Sequence, residues 1–404
     1  MNKLKEIIIS ITNRCNSYCR MCDIPREKIE ELSTSQWKEV IKDAQSIGAS
    51  TIVFSGGEPL LRKDIFELTS FVKNNDMSAC ITSNGLLIDE ENSFKLAAAG
   101  VDVVNVSIEG PRDVHDYLRG RGSFERAISA CENLRRCNIE TTLATMVSRY
   151  NYIYLDYIVK LAAEHGATTI KFQPFNALFI KNKAREADFL LSKKEGIKLS
   201  EKIKNIISLC AKHGISTNPS SYLERMPYYL TKDFFDSNGG CNALWASCPI
   251  TSKGEIYPCW VLSRKDKLIG SVKEKRLTEI WGSKRHNLMR ERIKKEGCSI
   301  CMMSCYDKNF GREDLDKKIA LNVQRLKKEG LREYINRILR KLVKGFKFYS
   351  AYRGSPRHIM HRVKGVFRKK KPSPAMSNNE EIEKALREVE AIKKMVKKEM
   401  RSFK

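Results

Sequence analysis

Short β-branched apolar runs recur along the first 175 residues, with helix-period segments between them. The runs are Ile7–Ile11, Thr51–Phe54, Ala79–Thr82, Val101–Ser107, Thr141–Val147 and Thr168–Phe172. Apolar residues at three-and-four spacing predict helices near 35–47, 64–75, 89–99, 123–136 and 150–165. Six near-continuous apolar strands separated by helices predict a parallel sheet covered by helices. Right-handed crossovers curl such a sheet into a barrel. The expected fold class is therefore α/β, a partial (β/α)6 barrel of parallel strands. Ligands in such a fold gather at the carboxyl ends of the strands.

The pattern then changes. Residues 176–240 read as a connector with one long helix near 192–213 and irregular flanks. Residues 241–305 are rich in cysteine and short on periodicity. Residues 312–347 are helical and basic, and Arg368–Pro374 reads as a linker. Ser377-Asn378-Asn379-Glu380 has the capping-box pattern and opens a last helix. These shifts divide the chain into 1–235, a barrel with its connector; 236–310, a small cysteine-rich domain; and 311–404, a basic helical tail.

Composition sharpens two of these regions. The chain has 404 residues, is 42% hydrophobic, and has no apolar run long enough to span a bilayer. The apolar run near the N-terminus is too short for a signal peptide, so a cytoplasmic location is expected. Thirteen cysteines at tight spacings favour metal binding over disulfides in a reducing compartment. Cys80, Cys131, Cys137 and Cys210 stand alone in apolar or helical stretches and read as buried small hydrophobes. The net charge of +26 is uneven: residues 306–404 hold 29 Lys and Arg against 12 Asp and Glu.

Chemistry is concentrated at the predicted strand ends. Directly after the first strand stand Cys15, Cys19 and Cys22. Three thiolates on one loop can hold three corners of an iron–sulfur cubane, whose usual complement is four cysteines. The fourth iron is then open to a ligand. The second strand ends in Ser55-Gly56-Gly57-Glu58-Pro59, two glycines for close backbone approach and a carboxylate suited to an amino group. The third ends Thr82-Ser83-Asn84-Gly85 and the fourth Val106-Ser107-Ile108-Glu109-Gly110. Ordinary turn chemistry explains each of these singly, but not four successive polar strand ends.

With those motifs the chain resembles the radical S-adenosylmethionine (SAM) superfamily, whose Cys-x3-Cys-x-Φ-Cys loop is matched by Cys15, Cys19 and Cys22 with Met21 as Φ. The resemblance implies a [4Fe-4S] cluster whose open iron chelates SAM, and reductive cleavage to a 5′-deoxyadenosyl radical that abstracts hydrogen from substrate. It implies that Gly56, Gly57 and Glu58 receive the methionine amino group, that Met21 contacts the adenine side, and that Ser83 and Asn84 lie nearby. The stretch from Ser107 through His115-Asp116-Tyr117-Leu118-Arg119-Gly120 is similar to the branch with a C-terminal SPASM or twitch extension. There Ser107 and Arg119 would meet the ribose and the carboxylate.

The extension has its counterpart at Cys241, Gly254 and Cys259, a Cys-x12-Gly-x4-Cys spacing that resembles a hairpin opening the auxiliary domain. Cys298, Cys301 and Cys305 follow. Together with Cys241 and Cys259 they can enclose one auxiliary [4Fe-4S] cluster. Spacing alone does not separate this from a structural zinc site, and Cys248 reads either as a ligand or as a buried neighbour. The full SPASM pattern uses more cysteines than remain here. The implied partners are a peptide or small-metabolite substrate and a reductant such as a flavodoxin or ferredoxin. The alternatives are an RNA-modifying radical enzyme and a non-catalytic metal–sulfur protein.

The tail adds a partner of its own. Leu331, Ile335, Ile338, Leu339, Leu342 and Phe346 form an apolar stripe among arginines and lysines. A basic amphipathic helix of this kind suits an anionic membrane surface, here the inner membrane, and its charge also suits nucleic-acid phosphates. The apolar stripe favours the membrane.

Overall fold

The computed structural model describes residues 4–24, 29–233, 243–263, 265–296 and 301–303. Compact packing divides the chain at Asp314/Leu315, and every described residue lies in the first unit. The expected tail helices and linker, and Cys241, Cys298 and Cys305, fall outside the described residues.

Six parallel strands form the frame: β1 (Glu6–Thr12), β2 (Thr51–Gly56), β3 (Ser78–Ser83), β4 (Val103–Ser107), β5 (Glu140–Val147) and β6 (Thr169–Pro174). Their spatial order follows the chain order, each paired in parallel with the next. Helices α1 (Thr34–Ser46), α2 (Ile65–Asn74), α3 (Glu90–Ala99), α4 (Arg112–Arg119), α5 (Ser123–Arg136) and α6 (Leu155–Glu164) connect them. The partial α/β barrel expected from the sequence is the fold observed.

Strand β1 is buried from Ile7 to Thr12, as the near-continuous apolar run implied, whereas β2, β3 and β6 alternate. Ile7, Ile9 and Ile11 of β1, Ala79 and Ile81 of β3, and Ile170 and Phe172 of β6 are wholly or almost wholly buried. Each such side chain withdrawn from water contributes on the order of 1.5–3 kcal/mol for the larger residues. The other face carries two kinds of row: Ser10 beside Ser55, and Thr82 beside Asn105 beside Thr142, are polar, whereas Ile8, Val53, Cys80 and Val103, paired in that order, are not. The Asn105 amide donates to Thr82 Oγ1 at 3.1 Å across this inner face. The barrel is thus apolar under its helices and mixed within, with the polar rows nearer the carboxyl ends of the strands. Cys131 and Cys210 are buried as expected, but Cys80, between Val53 and Val103, and Cys137 are half-buried.

Helix α4 was not foreseen, because its eight residues carry only two buried side chains, His115 and Leu118. The connector holds two helices rather than one, α7 (Lys193–His213) and α8 (Ser220–Thr231). A capping box between Ser192 and Glu195 starts α7 and Gly214 in the left-handed region ends it.

The cysteine-rich region joins the barrel sheet directly. Strand β7 (Ser247–Ile250) pairs in parallel with the free edge of β1, and β8 (Glu255–Ile256) and β9 (Gly270–Ser271) follow antiparallel. Gly254 makes the β7–β8 turn at φ +87°, and a Cβ there would sit 2.7 Å from Val272. That is the hairpin glycine the spacing predicted. Arg276 clamps the region to the barrel through Asp43 of α1, donating at 2.9 Å from Nε and 2.5 Å from Nη2. Asp43 also accepts the backbone N–H of Leu277, which opens α9 (Leu277–Ile280) ahead of α10 (Lys284–Glu296). Among the described residues no helix is long and apolar enough to cross a membrane.

The junction of β2 with the cysteine loop is the tightest backbone contact in the rim. A Cβ at Gly57 would lie 2.1 Å from Arg14 O, and one at Gly56 2.3 Å from Thr12 O. Gly57→Ala therefore forces two backbone segments apart. An overpacking cost of about 1–3 kcal/mol is expected in urea unfolding, together with poorer iron loading after reconstitution. Unchanged stability and loading would show that the loop does not depend on this contact.

Candidate active site

The cysteine loop is anchored at both ends. Gly57 N–H donates to Thr12 O at 2.7 Å and Glu58 N–H to Arg14 O at 2.8 Å, which fixes the chain just before Cys15. Downstream, Arg20 N–H donates to Leu118 O at 2.8 Å, and its guanidinium lies 4.0 Å from the Tyr117 ring centre. Asp23 accepts the N–H of Lys181 at 2.9 Å and lies 3.6 Å from Arg185. The segment after β6 is thereby brought back to the loop.

Cys15, Cys19 and Cys22 are all free and half-buried. Two side chains from outside the loop, Asn84 after β3 and Arg119 at the end of α4, lie near their sulfurs. The Asn84 amide lies 3.8 Å from Cys15 Sγ, and Arg119 Nη1 lies 4.0 Å from Cys19 Sγ. Burial pushes all three thiols up, Cys22 to about 11. Metal-free, they remain thiols near neutrality, and a bound metal must supply the driving force for ionisation. Three soft donors close enough to influence one another electrostatically, with hydrogen-bond donors near two of them, have the chemistry an iron–sulfur cluster needs.

Glu58 is completely buried. Its carboxylate accepts from Ser83 Oγ at 2.9 Å, Asn84 N–H at 2.8 Å and Leu60 N–H at 3.2 Å. Burial raises its pKa to about 7, against the pull of those hydrogen bonds. The structure thus brings Gly56, Gly57, Glu58, Ser83 and Asn84 together around Cys15. The two glycines meet backbone rather than empty space. Met21 packs into the main apolar core and Ser107 is buried at the end of β4.

Arg119 ends α4 and is paired with Glu109, Nε to Oε1 at 2.8 Å and Nη2 to Oε1 at 2.6 Å. The other oxygen of Glu109 accepts Met146 N–H at 2.8 Å. Burial raises the Glu109 carboxyl and the Arg119 guanidinium pulls it back. His115 Nδ1 accepts the N–H of Glu109 at 3.2 Å, and burial holds this imidazole neutral with a pKa of about 3. Asn151 bridges the carbonyls of Glu109 and Met146 at 2.8 and 2.7 Å. Sequence reasoning picked out Arg119 but missed Glu109, His115 and Asn151 as its supports, and missed Asp23 as the anchor for Lys181 and Arg185. Glu109 sat within a recognised motif, so only its pairing was hidden.

At the second cysteine site, Cys259 packs with Ala243 and Met303 in a small apolar cluster apart from the main core, against Trp260 and Cys301. Residues 301–303 are held to the barrel mouth: Tyr222 Oη donates to Met302 O at 2.5 Å, and Gln173 Nε2 lies 3.4 Å from Met303 Sδ. Cys248 is elsewhere. It is fully buried in the main core, on β7 opposite Ile7.

Two family models match the chain, the radical SAM superfamily over residues 9–162 and an iron–sulfur cluster-binding domain, SPASM, over residues 241–306. The chain therefore carries a radical SAM domain and, C-terminal to it, a SPASM domain, which are domains of enzymes that use SAM and [4Fe-4S] clusters. It is 35% identical over 175 residues to the Fe-coproporphyrin III synthase of Methanosarcina barkeri, covering 42% of this chain and 44% of that protein. It thus spans under half the length of that relative. It is 28% identical over 285 residues to the PqqA peptide cyclase of Gluconobacter oxydans, covering 68% and 76%. Its fold is similar to Streptococcus suis SuiB bound to S-adenosylmethionine, with a TM-score of 0.58, 16% identity, and coverage of 75% and 72%.

The two buried cysteines of the hairpin region make opposite predictions. Cys259→Ala lowers iron per reconstituted chain, whereas Cys248→Ala leaves iron unchanged and costs about 1–2 kcal/mol of stability as a small core truncation. Equal iron loss in both variants would contradict the separation of the two clusters.

Proposed function

We propose that Cys15, Cys19 and Cys22 hold the cluster that binds SAM, and that the enzyme abstracts hydrogen from a peptide substrate. The observation that carries this reading is the convergence of Asn84 and Arg119 on the sulfurs of Cys15 and Cys19 at the carboxyl rim of the parallel sheet. When bound, the reduced cluster supplies one electron to the sulfonium of SAM and frees the 5′-deoxyadenosyl radical. The chain's own residues bind, orient and shield. A carboxylate offers about four lone-pair positions, and three at Glu58 are taken within the rim, which leaves one for the methionine ammonium. Arg119 supplies cationic character for the carboxylate, and Ser107 stands at the end of the neighbouring strand for the ribose. The polar rows of the inner face, Ser10 with Ser55 and Thr82 with Asn105 and Thr142, offer hydrogen-bonding groups to a polar substrate.

We assign the four ligands of an auxiliary cluster from among Cys241, Cys259, Cys298, Cys301 and Cys305. One feature supports a peptide substrate: the relative named as a peptide cyclase matches about two thirds of the chain. A tetrapyrrole is the second reading, favoured by the higher identity to the coproporphyrin enzyme within the shared segment.

Anaerobic reconstitution tests the assignment. The parent chain is expected to bind about eight irons and to form 5′-deoxyadenosine with dithionite and SAM, on four-iron clusters at each site. The Cys15→Ala, Cys19→Ala, Cys22→Ala triple variant is expected to keep about four irons and to form none. Product from the triple variant would overturn it.

A further inference from the structure

Glu109 has every polar group engaged. Its N–H meets His115, its carbonyl Asn151, one carboxylate oxygen Met146 N–H, and the other Arg119. The side chain is wholly buried, and that of Arg119 is 16% exposed. The carboxylate grips the Nε–Nη2 edge of the guanidinium, because both nitrogens reach the same oxygen. A guanidinium is planar, so fixing one edge fixes the third nitrogen. That nitrogen, Nη1, is the one facing Cys19 Sγ at 4.0 Å.

We propose that Glu109 is a positioning residue for the cluster: it turns one Arg119 N–H toward Cys19 and offsets the charge of that cation. Together these set how readily the cluster accepts an electron. Hydrogen bonds to cluster sulfurs and the net charge around them are the main protein controls on cluster potential. An unpaired cation against Cys19 would favour the reduced state. The buried carboxylate takes back much of that effect while keeping the N–H in place. The arrangement separates two quantities that a lone arginine would couple, the hydrogen bond and the charge. This rests on the reading of Cys19 as a cluster ligand.

The test is a potentiometric titration of the reconstituted holoenzyme, followed by the EPR signal that changes when SAM is added. Glu109→Gln keeps the shape and removes the negative charge. At a fixed poise its reduced-to-oxidised ratio is expected to rise about tenfold, about 59 mV for one electron. Arg119→Lys keeps the charge beside Glu109 but lacks the planar fork, so the ratio is expected to fall. Arg121→Gln removes an exposed cation two residues on and is expected to leave the ratio unchanged. If Glu109→Gln does not fold, the direction for Arg119→Lys decides. Shifts of the same sign in both variants, or a ratio within about twofold of the parent in Glu109→Gln, overturn the proposal. Iron content separates the failures: a parent loop that binds no iron fails the ligand reading, whereas a loaded chain with unshifted potential fails this one alone.

Discussion

The arrangement of the rim depends on one close approach of backbone to backbone. Strand β2 ends at Gly56, and the N–H groups of Gly57 and Glu58 that follow bond to the carbonyls of Thr12 and Arg14, an approach no side chain at Gly56 or Gly57 would allow. That contact sets where the cysteine loop leaves β1. It also places Glu58 under β3, where the carboxylate organises Ser83 and Asn84, and Asn84 in turn reaches Cys15. A chain of mostly buried hydrogen bonds thus runs from a steric constraint in β2 to Asn84, whose amide donates to Asn16 Oδ1 at 2.8 Å and Ser17 Oγ at 3.2 Å in the loop and lies 3.8 Å from Cys15 Sγ. Neutral hydrogen bonds contribute about 0.5–1.5 kcal/mol each. Leaving one of these buried groups unpaired costs more than the bond contributes.

A second network reaches the loop from the opposite side. Glu109, held by β5 and by the N-terminal part of α4, aims Arg119 at Cys19. Buried charge of this kind is unfavourable unless paired and hydrogen-bonded, and here each partner has both. The two networks come from different strand ends and address different cysteines. Loop geometry is therefore determined from outside the loop, by strands whose own positions are set by the apolar packing of Ile7, Ile9, Ile11 and their neighbours under the helices.

Much of this was legible in the sequence because it rests on local signals. The six strands, their order, the cysteine loop and the hairpin turn at Gly254 all follow from short-range patterns. The alternation within strands was not seen, because serine, threonine and valine on the inner face are as β-branched or small as their apolar neighbours. The glycines were read as making room for a ligand, and they make room for Thr12 and Arg14. Asp43 with Arg276 and Glu109 with Met146 were invisible for a simple reason: each joins residues far apart in sequence, and no periodicity marks such a pair. The place of Cys248 was open for the same reason until β7 was seen to pair with β1.

The central claim is that the three loop thiols leave one iron of a four-iron cluster open toward SAM. Mössbauer spectroscopy of protein reconstituted with 57Fe, recorded before and after adding SAM, tests it most directly. The account predicts that SAM sets one iron of the N-terminal cluster apart from the other three while the auxiliary cluster is unchanged. A spectrum in which no iron responds to SAM would contradict it.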